Sequence, residues 1–259
     1  MSDLDQALRD LVIANRVLAN EGVVDAYGHV SVRHPRNPDR YFMSCSRSPE
    51  LVTAKDIMQF HLDGTAIGGD ARLPYVERHI HGAIYERRPE INAAVHSHAE
   101  DVLPFGIVTT PLQPVIHSGG FMGHRAPIWD IRDKFGDTNL LVTNMEQGRD
   151  LASALGPERV ALMRGHGFAA AGLSLADVVR LAVYLPKNAR VLLNALRLGA
   201  FKPLSAGEIE KRIAISPSGM ETARAWEYWA TRAGCASLMA KPKRTPAKRG
   251  KARPRTGRR

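Results

Sequence analysis

Two histidines one residue apart, His96 and His98, close the apolar run Ile91 to Val95. Such a run reads as an interior strand, and on a strand residues two apart point the same way, so both imidazoles can reach one ion. Taken alone, an H-x-H pair is more often a polar strand edge or a satisfied core pair. Arg164-Gly165-His166-Gly167 changes the reading. There, glycines flank a histidine at the end of a second apolar run, Val160-Ala161-Leu162-Met163, and let the backbone turn sharply to bring the ring to an open position. Glu77, on a predicted helix, adds a carboxylate. Three neutral imidazoles and one carboxylate are an ordinary ligand set for zinc, and they also serve manganese, iron or cobalt.

Other residues could share the chemistry. Glu77 is a candidate acid/base as well as a ligand: burial raises a carboxylate pKa toward neutrality, whereas a bound metal holds it ionised. His81 lies one helical turn beyond Glu77 and is expected to orient that carboxylate. The glycine-rich segment His117-Ser118-Gly119-Gly120-Phe121-Met122-Gly123-His124 reads either as a border of the pocket, through His117, or as a surface loop. Tyr184, on a long helix, is a further candidate acid.

The elements that must position these groups follow from periodicity and punctuation. Leu4, Leu8, Leu11 and Leu18 at helical spacing, with Gly22 beyond, predict an amphipathic helix over 3–20. Strands are predicted at 29–32, 41–43 and 58–62, the last turned by Asp63-Gly64 into 65–67 as a hairpin. Thr53 and Asp56 mark a short capped helix before it. Residues 75–87 form the helix that carries Glu77, stopping ahead of Pro89. Strands are expected at 91–98, 139–143 and 160–163, and helices at 147–155, from a Ser174-x-x-Asp177 capping box to about Leu198 with a kink at Pro186, and at 217–233. Strands mixed with helices indicate α/β or α+β layers and exclude a helical bundle.

The chain has 259 residues and a formal net charge of +10, which invites a nucleic-acid reading until the charge is located. Ten basic residues and no acidic one fall between Lys241 and Arg259, so residues 1–240 are formally neutral. Three prolines and no large apolar residue there predict a disordered tail, 241–259, behind one catalytic domain, 1–240. The tail reads as a solubilising appendage, with nucleic-acid contact the competing role. Two cysteines are too few for a disulfide framework, and no apolar run marks a signal peptide or membrane span. The expectation is a cytoplasmic protein.

The segments Val76-Glu77-Arg78-His79-Ile80-His81-Gly82-Ala83-Ile84-Tyr85, Val95-His96-Ser97-His98 and Gly165-His166-Gly167 together resemble the class II aldolase/adducin family, from about residue 5 to about residue 235. In that family a Glu on a helix, an H-x-H strand and a later H-G turn surround a divalent metal. The resemblance implies an α/β fold of α/β/α layers around a central, mainly antiparallel sheet, and a homotetramer with active sites at subunit interfaces. Its metal ligands would be Glu77, His96, His98 and His166, with one Zn2+ or Mn2+ per subunit.

The family's sugar-phosphate pattern is altered here: Gly28-His29 stands before Ser31, Ser44-Cys45-Ser46-Arg47 at the turn, and Tyr75-Val76 before Glu77. Small phosphate-cradling groups give way to His29, Arg47 and bulkier side chains, and an Arg fork suits a carboxylate. With Arg47 to Thr53 and Arg224-x-Trp226-Glu227-Tyr228, these changes are similar to the branch that decarboxylates hydroxylated aromatic or pyridine ortho-dicarboxylates. The expected roles are then catalytic for Glu77, His81 and Tyr184, and substrate-binding for His29, Ser46, Arg47 and His117. An aldolase or epimerase acting on a small hydroxy-carbonyl compound is the second reading. A scaffold or nucleic-acid binder is the third, and a complete ligand set argues against it.

Overall fold

Ser2 opens the first helix, α1 (Asp3–Asn20): its hydroxyl accepts the Asp5 N–H at 3.2 Å and the Asp5 carboxylate accepts the Ser2 N–H at 3.1 Å. Each bond satisfies a backbone donor that a helix start leaves without a partner. The computed structural model describes residues 2–215 and 219–239, so the basic tail expected at 241–259 lies outside the described residues.

Seven strands form one sheet: β1 (His29–Arg33), β2 (Arg40–Ser44), β3 (Ile57–His61), β4 (Ala93–Ser97), β5 (Ile128–Trp129), β6 (Val160–Met163) and β7 (Gly167–Gly172). Their order is β3-β2-β1-β4-β7-β6-β5, antiparallel throughout except for β5 beside β6. The helices after α1 are α2 (Arg78–Arg87), α3 (Arg132–Phe135), α4 (Met145–Leu155), α5 (Leu175–Leu198), α6 (Ala206–Ile213) and α7 (Met220–Arg232).

Side-chain alternation along the strands divides the core in two. Val30, Val32, Val95, Phe168 and Ala170 point toward Leu11 and Val17 of α1, Val179 and Leu185 of α5 and Trp229 of α7. Ala94, Ala169 and Ala171 point the other way, toward Ile80 and Ile84 of α2 and Leu151 and Leu155 of α4. The result is the expected α/β/α layering around a mainly antiparallel sheet.

Several elements differ in detail from the sequence reading. The strand expected at 139–143 is irregular: Thr138 Oγ1 and Asn139 Oδ1 accept the N–H groups of Leu140 and Leu141, and Leu140 has φ +68°. Local side-chain bonds take donors that a ladder would need. β7, Gly-Phe-Ala-Ala-Ala-Gly, was not expected as a strand, because alanine and glycine favour strands poorly until burial on both faces imposes one. Asp177 does not close a capping box with Ser174; its Oδ2 instead accepts from the Leu173 N–H and the Arg159 guanidinium. α5 runs through Pro186 without interruption. The hairpin after β3 and the Thr53–Asp56 box both form, the latter closing a 3-10 turn, Ala54–Asp56.

Candidate metal centre

β4 is the middle strand of the sheet, and its register sets His96 opposite His29 on β1 and Ala169 on β7. His96 is fully buried, and its Nδ1–H donates to the Phe168 carbonyl at 3.0 Å. That bond occupies Nδ1 and turns Nε2 toward Glu77 and His98. His98 sits one residue past the strand end, its Nε2 2.9 Å from His96 Nε2 and 3.2 Å from His166 Nε2.

His166 arrives on the β6–β7 turn, which Gly165 makes at φ +64°, a conformation strained for any residue with a Cβ. At Gly167 a Cβ would lie 2.1 Å from the Ser97 carbonyl oxygen, so the absence of a side chain is what lets β7 close on the end of β4. This close approach brings His166 beside His98, their rings stacked at 14° and 5.0 Å apart.

Glu77 is not on the body of a helix as its sequence setting suggested. It is the residue before α2, with φ −87° and ψ 16°, and its side chain makes no cap bond to the helix. Its Oε1 accepts the Val142 N–H at 2.9 Å, while Oε2 lies 3.4 Å from His96 Nε2 and 3.5 Å from His166 Nε2. The one irregular segment read as a strand therefore supplies the backbone donor that holds this carboxylate.

One ligand atom from each of Glu77, His96, His98 and His166 lies within 4.8 Å of the others. Lone-pair nitrogens and a carboxylate oxygen repel at this separation unless a cation sits among them, and the nitrogen–oxygen set is the one zinc or manganese accepts. The residues present fit a divalent metal.

Charge in the site is distributed accordingly. Burial pushes the Glu77 carboxyl up, but His96, His166 and the Val142 N–H outweigh it and hold it at about 2. Of the two states the sequence left open for Glu77, raised by burial or held ionised, the surroundings favour the ionised one. Burial, then His96 and His166, bring His98 down to about 4, and burial with His96 also lowers His166. Neutral imidazoles and an ionised carboxylate are the metal-binding protonation states.

His81 does not orient Glu77. Its Nε2 lies 2.7 Å from His29 Nδ1 and its Nδ1 2.6 Å from Ser31 Oγ, which in turn lies 2.7 Å from the Tyr85 hydroxyl. Burial and neighbouring His96 bring His81 down to about 3. The His29 ring contacts Tyr75, His81 and His96, with centroids 4.7, 4.8 and 5.1 Å apart. Tyr75 also donates to the Arg47 carbonyl, so the Ser46-Arg47 turn borders the His29 side of the site. The Arg47 Nε is engaged with the Leu51 carbonyl at 2.9 Å.

His117 and Tyr184 stand apart from this group. His117 is exposed at the start of a 3-10 turn, His117–Met122, close enough to Glu221 to help lower its carboxyl. Tyr184 packs on Phe121 and Trp229 and borders a cavity of about 500 Å3 with Arg180, Lys187 and Glu221. The metal-type cluster opens instead through His98 onto a cavity of about 350 Å3 that includes Asp25, Glu100 and Lys187. A larger cavity, about 790 Å3, lies between α1 and α7 and holds none of the four clustered residues.

The sequence reading named Ser31, Tyr75 and Tyr85 only as parts of motifs, giving none of them a role, and did not foresee the Val142 N–H. Two signals were present. Ser31 follows His29 by two on a strand and Tyr85 follows His81 by four on a helix, so each pair shares a face; that the two faces meet was not visible in one dimension.

Residues 9–193 match the Class II Aldolase and Adducin N-terminal domain. The chain is 32% identical over 244 residues to Decarboxylase tropJ of Talaromyces stipitatus, covering 86% of this chain and 92% of the relative. It is 27% identical over 234 residues to 3,4-dihydroxyphthalate decarboxylase of Arthrobacter keyseri, covering 84% and 90%. Among solved structures, L-fuculose 1-phosphate aldolase from Glaciozyma antarctica PI12 superposes with a TM-score of 0.68 at 25% identity, over 90% of this chain and 88% of that one. The domain match, the shared fold and the clustered Glu77, His96, His98 and His166 agree: the chain belongs to the class II aldolase and adducin family.

Proposed function

We propose that the protein is a metal-dependent carboxy-lyase that removes one carboxylate from a hydroxylated aromatic or pyridine ortho-dicarboxylate. The observation that carries this reading is a complete, converged Glu77, His96, His98 and His166 set in a chain whose relatives over 84–86% of its length are decarboxylases. In this reading those four residues hold one divalent ion, zinc or manganese. Such an ion would polarise a ring hydroxyl with its adjacent carboxylate and draw on the electron pair left as CO2 departs.

The protein's own groups do the rest. The ionised Glu77 Oε2 accepts the ring hydroxyl proton and returns it to the carbon that loses CO2, while Oε1 stays anchored on the Val142 N–H. His29, on the same sheet face as His96, and the Ser46-Arg47 turn beyond Tyr75 bind the substrate's anionic oxygens.

Residues 1–240 form one catalytic unit in this proposal, a cytoplasmic homotetramer with its sites at subunit interfaces. No described helix is long and apolar enough to cross a membrane.

The test is product identity. The manganese- or zinc-loaded protein is offered 3,4-dihydroxyphthalate and, separately, L-fuculose 1-phosphate. CO2 from the first that vanishes in His96→Ala supports the carboxy-lyase; aldehyde from the second without CO2 from the first replaces it with an aldolase.

A further inference from the structure

Behind His29 the structure holds a buried line of polar atoms, Tyr85 hydroxyl, Ser31 Oγ, His81 Nδ1 and Nε2, and His29 Nδ1, with links of 2.7, 2.6 and 2.7 Å. Ser31 and His81 are fully buried, Tyr85 is 1% exposed and His29 3%. Each hydroxyl and each neutral imidazole has one proton to give, so a line of them has a direction, set by its ends.

The Tyr85 end sets it. Ser31 Oγ is the one hydrogen-bond partner of the Tyr85 hydroxyl among the described residues, so the tyrosine O–H has no other acceptor there. Tyr85 therefore donates to Ser31. Ser31, already accepting, donates to His81 Nδ1. His81 must then carry its hydrogen on Nε2, where it donates to His29 Nδ1. Reversing the line would leave a buried tyrosine O–H without an acceptor among the described residues, a costly arrangement.

We propose that Tyr85, Ser31 and His81 lock His29 in the tautomer with its proton on Nε2, making His29 an uncharged hydrogen-bond donor to an oxyanion of the substrate. His29 Nε2 has no partner among the described residues, and the ring stands opposite His96 across β1 and β4. The other tautomer would turn a lone pair toward that oxygen and repel it. His29 thus touches substrate, and Tyr85, Ser31 and His81 are positioning residues. This inference rests on the Glu77–His96–His98–His166 cluster being the reaction centre, and its ligand class is an aromatic carboxylate or phenolate.

The test reads binding in place of turnover. Salicylate is titrated into cobalt(II)-loaded wild type, Ser31→Ala, Tyr85→Phe, His29→Leu and the double variant Ser31→Ala with His29→Leu, following the visible cobalt absorption, with metal content and Tm recorded for each. Ser31→Ala is expected to weaken salicylate roughly tenfold, the scale of losing a partner that orients a site histidine. Tyr85→Phe should act in the same direction and serves if Ser31→Ala does not fold. The decisive result is the double variant: if Ser31 acts only through His29, it binds no more weakly than His29→Leu alone. Additive losses, or wild-type affinity in both Ser31→Ala and Tyr85→Phe, overturn the proposal. Because salicylate need not react, a protein that binds it as described yet releases no CO2 from 3,4-dihydroxyphthalate would refute the carboxy-lyase reading and leave the donor role standing.

Discussion

At the residue scale, Glu77 shows how neighbours decide what burial alone does not. Desolvation would keep the carboxyl protonated, but His96, His166 and the Val142 N–H hold it ionised. Glu77→Gln keeps the shape and the Val142 bond while deleting the charge; it should lower metal affinity at least tenfold and abolish CO2 release, as metal content after dialysis and CO2 evolution would report. His81 supplies a separate test. Its ordinary value is 6.5 and burial brings it to about 3, so it is neutral in the fold and takes up a proton on unfolding at any pH between those values. Its contribution is whole above pH 6.5 and is lost as pH falls from 6.5 toward 3, by about 1.4 kcal/mol per unit. Denaturant titrations of the metal-free protein at pH 7, 6 and 5 should show this fall, and His81→Gln should flatten it. An unchanged slope in the variant would mean that other groups govern acid lability.

At the element scale, the site is made by strand ends and turns. The H-x-H strand, the H-G turn and the helix that begins just after Glu77 were legible because each is a local pattern, although Glu77 itself stands ahead of that helix and not on it. The stretch 139–143 was not, since its apolar residues suit a strand while Thr138 and Asn139 capture the backbone donors a strand needs. Nor was β7, whose alanines and glycines carry helix or loop preference; only their burial between β4 and β6 makes a strand of them. The line from Tyr85 to His29 was half visible, as two same-face pairs with nothing to say they met. Gly167 tests the closure of β7 on β4. In Gly167→Ala the new methyl would meet the Ser97 carbonyl, costing roughly 1–3 kcal/mol as an overpacked contact and displacing His166 from His98. A lowered Tm together with weakened metal binding is expected; loss of stability with intact affinity would show that the turn holds His166 independently.

At the scale of the whole molecule, four ligands drawn from Glu77, β4 and the β6–β7 turn tie the two core layers to one point. Anything that binds this folded site and not the open chain stabilises by mass action, about 2.7 kcal/mol at a hundredfold excess over Kd. Removing the metal with a chelator should therefore lower Tm, and restoring zinc or manganese should recover it in a concentration-dependent way, by calorimetry. The assembly makes its own prediction. Light scattering should give a mass near four chains, and a monomer with full activity would refute sites shared between subunits. The net charge of +10 resides in the terminal segment 241–259, so deleting it should leave CO2 release unchanged.

The wide spacing of the ligands has a consequence for how the protein comes together. His98 and His166 are 68 residues apart, and they meet only because β7 has already paired with β4 across the centre of the sheet. An ion arriving early finds isolated imidazoles on a loose chain; one arriving late finds a finished cage. Metal should thus leave the refolding rate almost untouched and slow unfolding markedly, acting as a latch on a door that closes by itself.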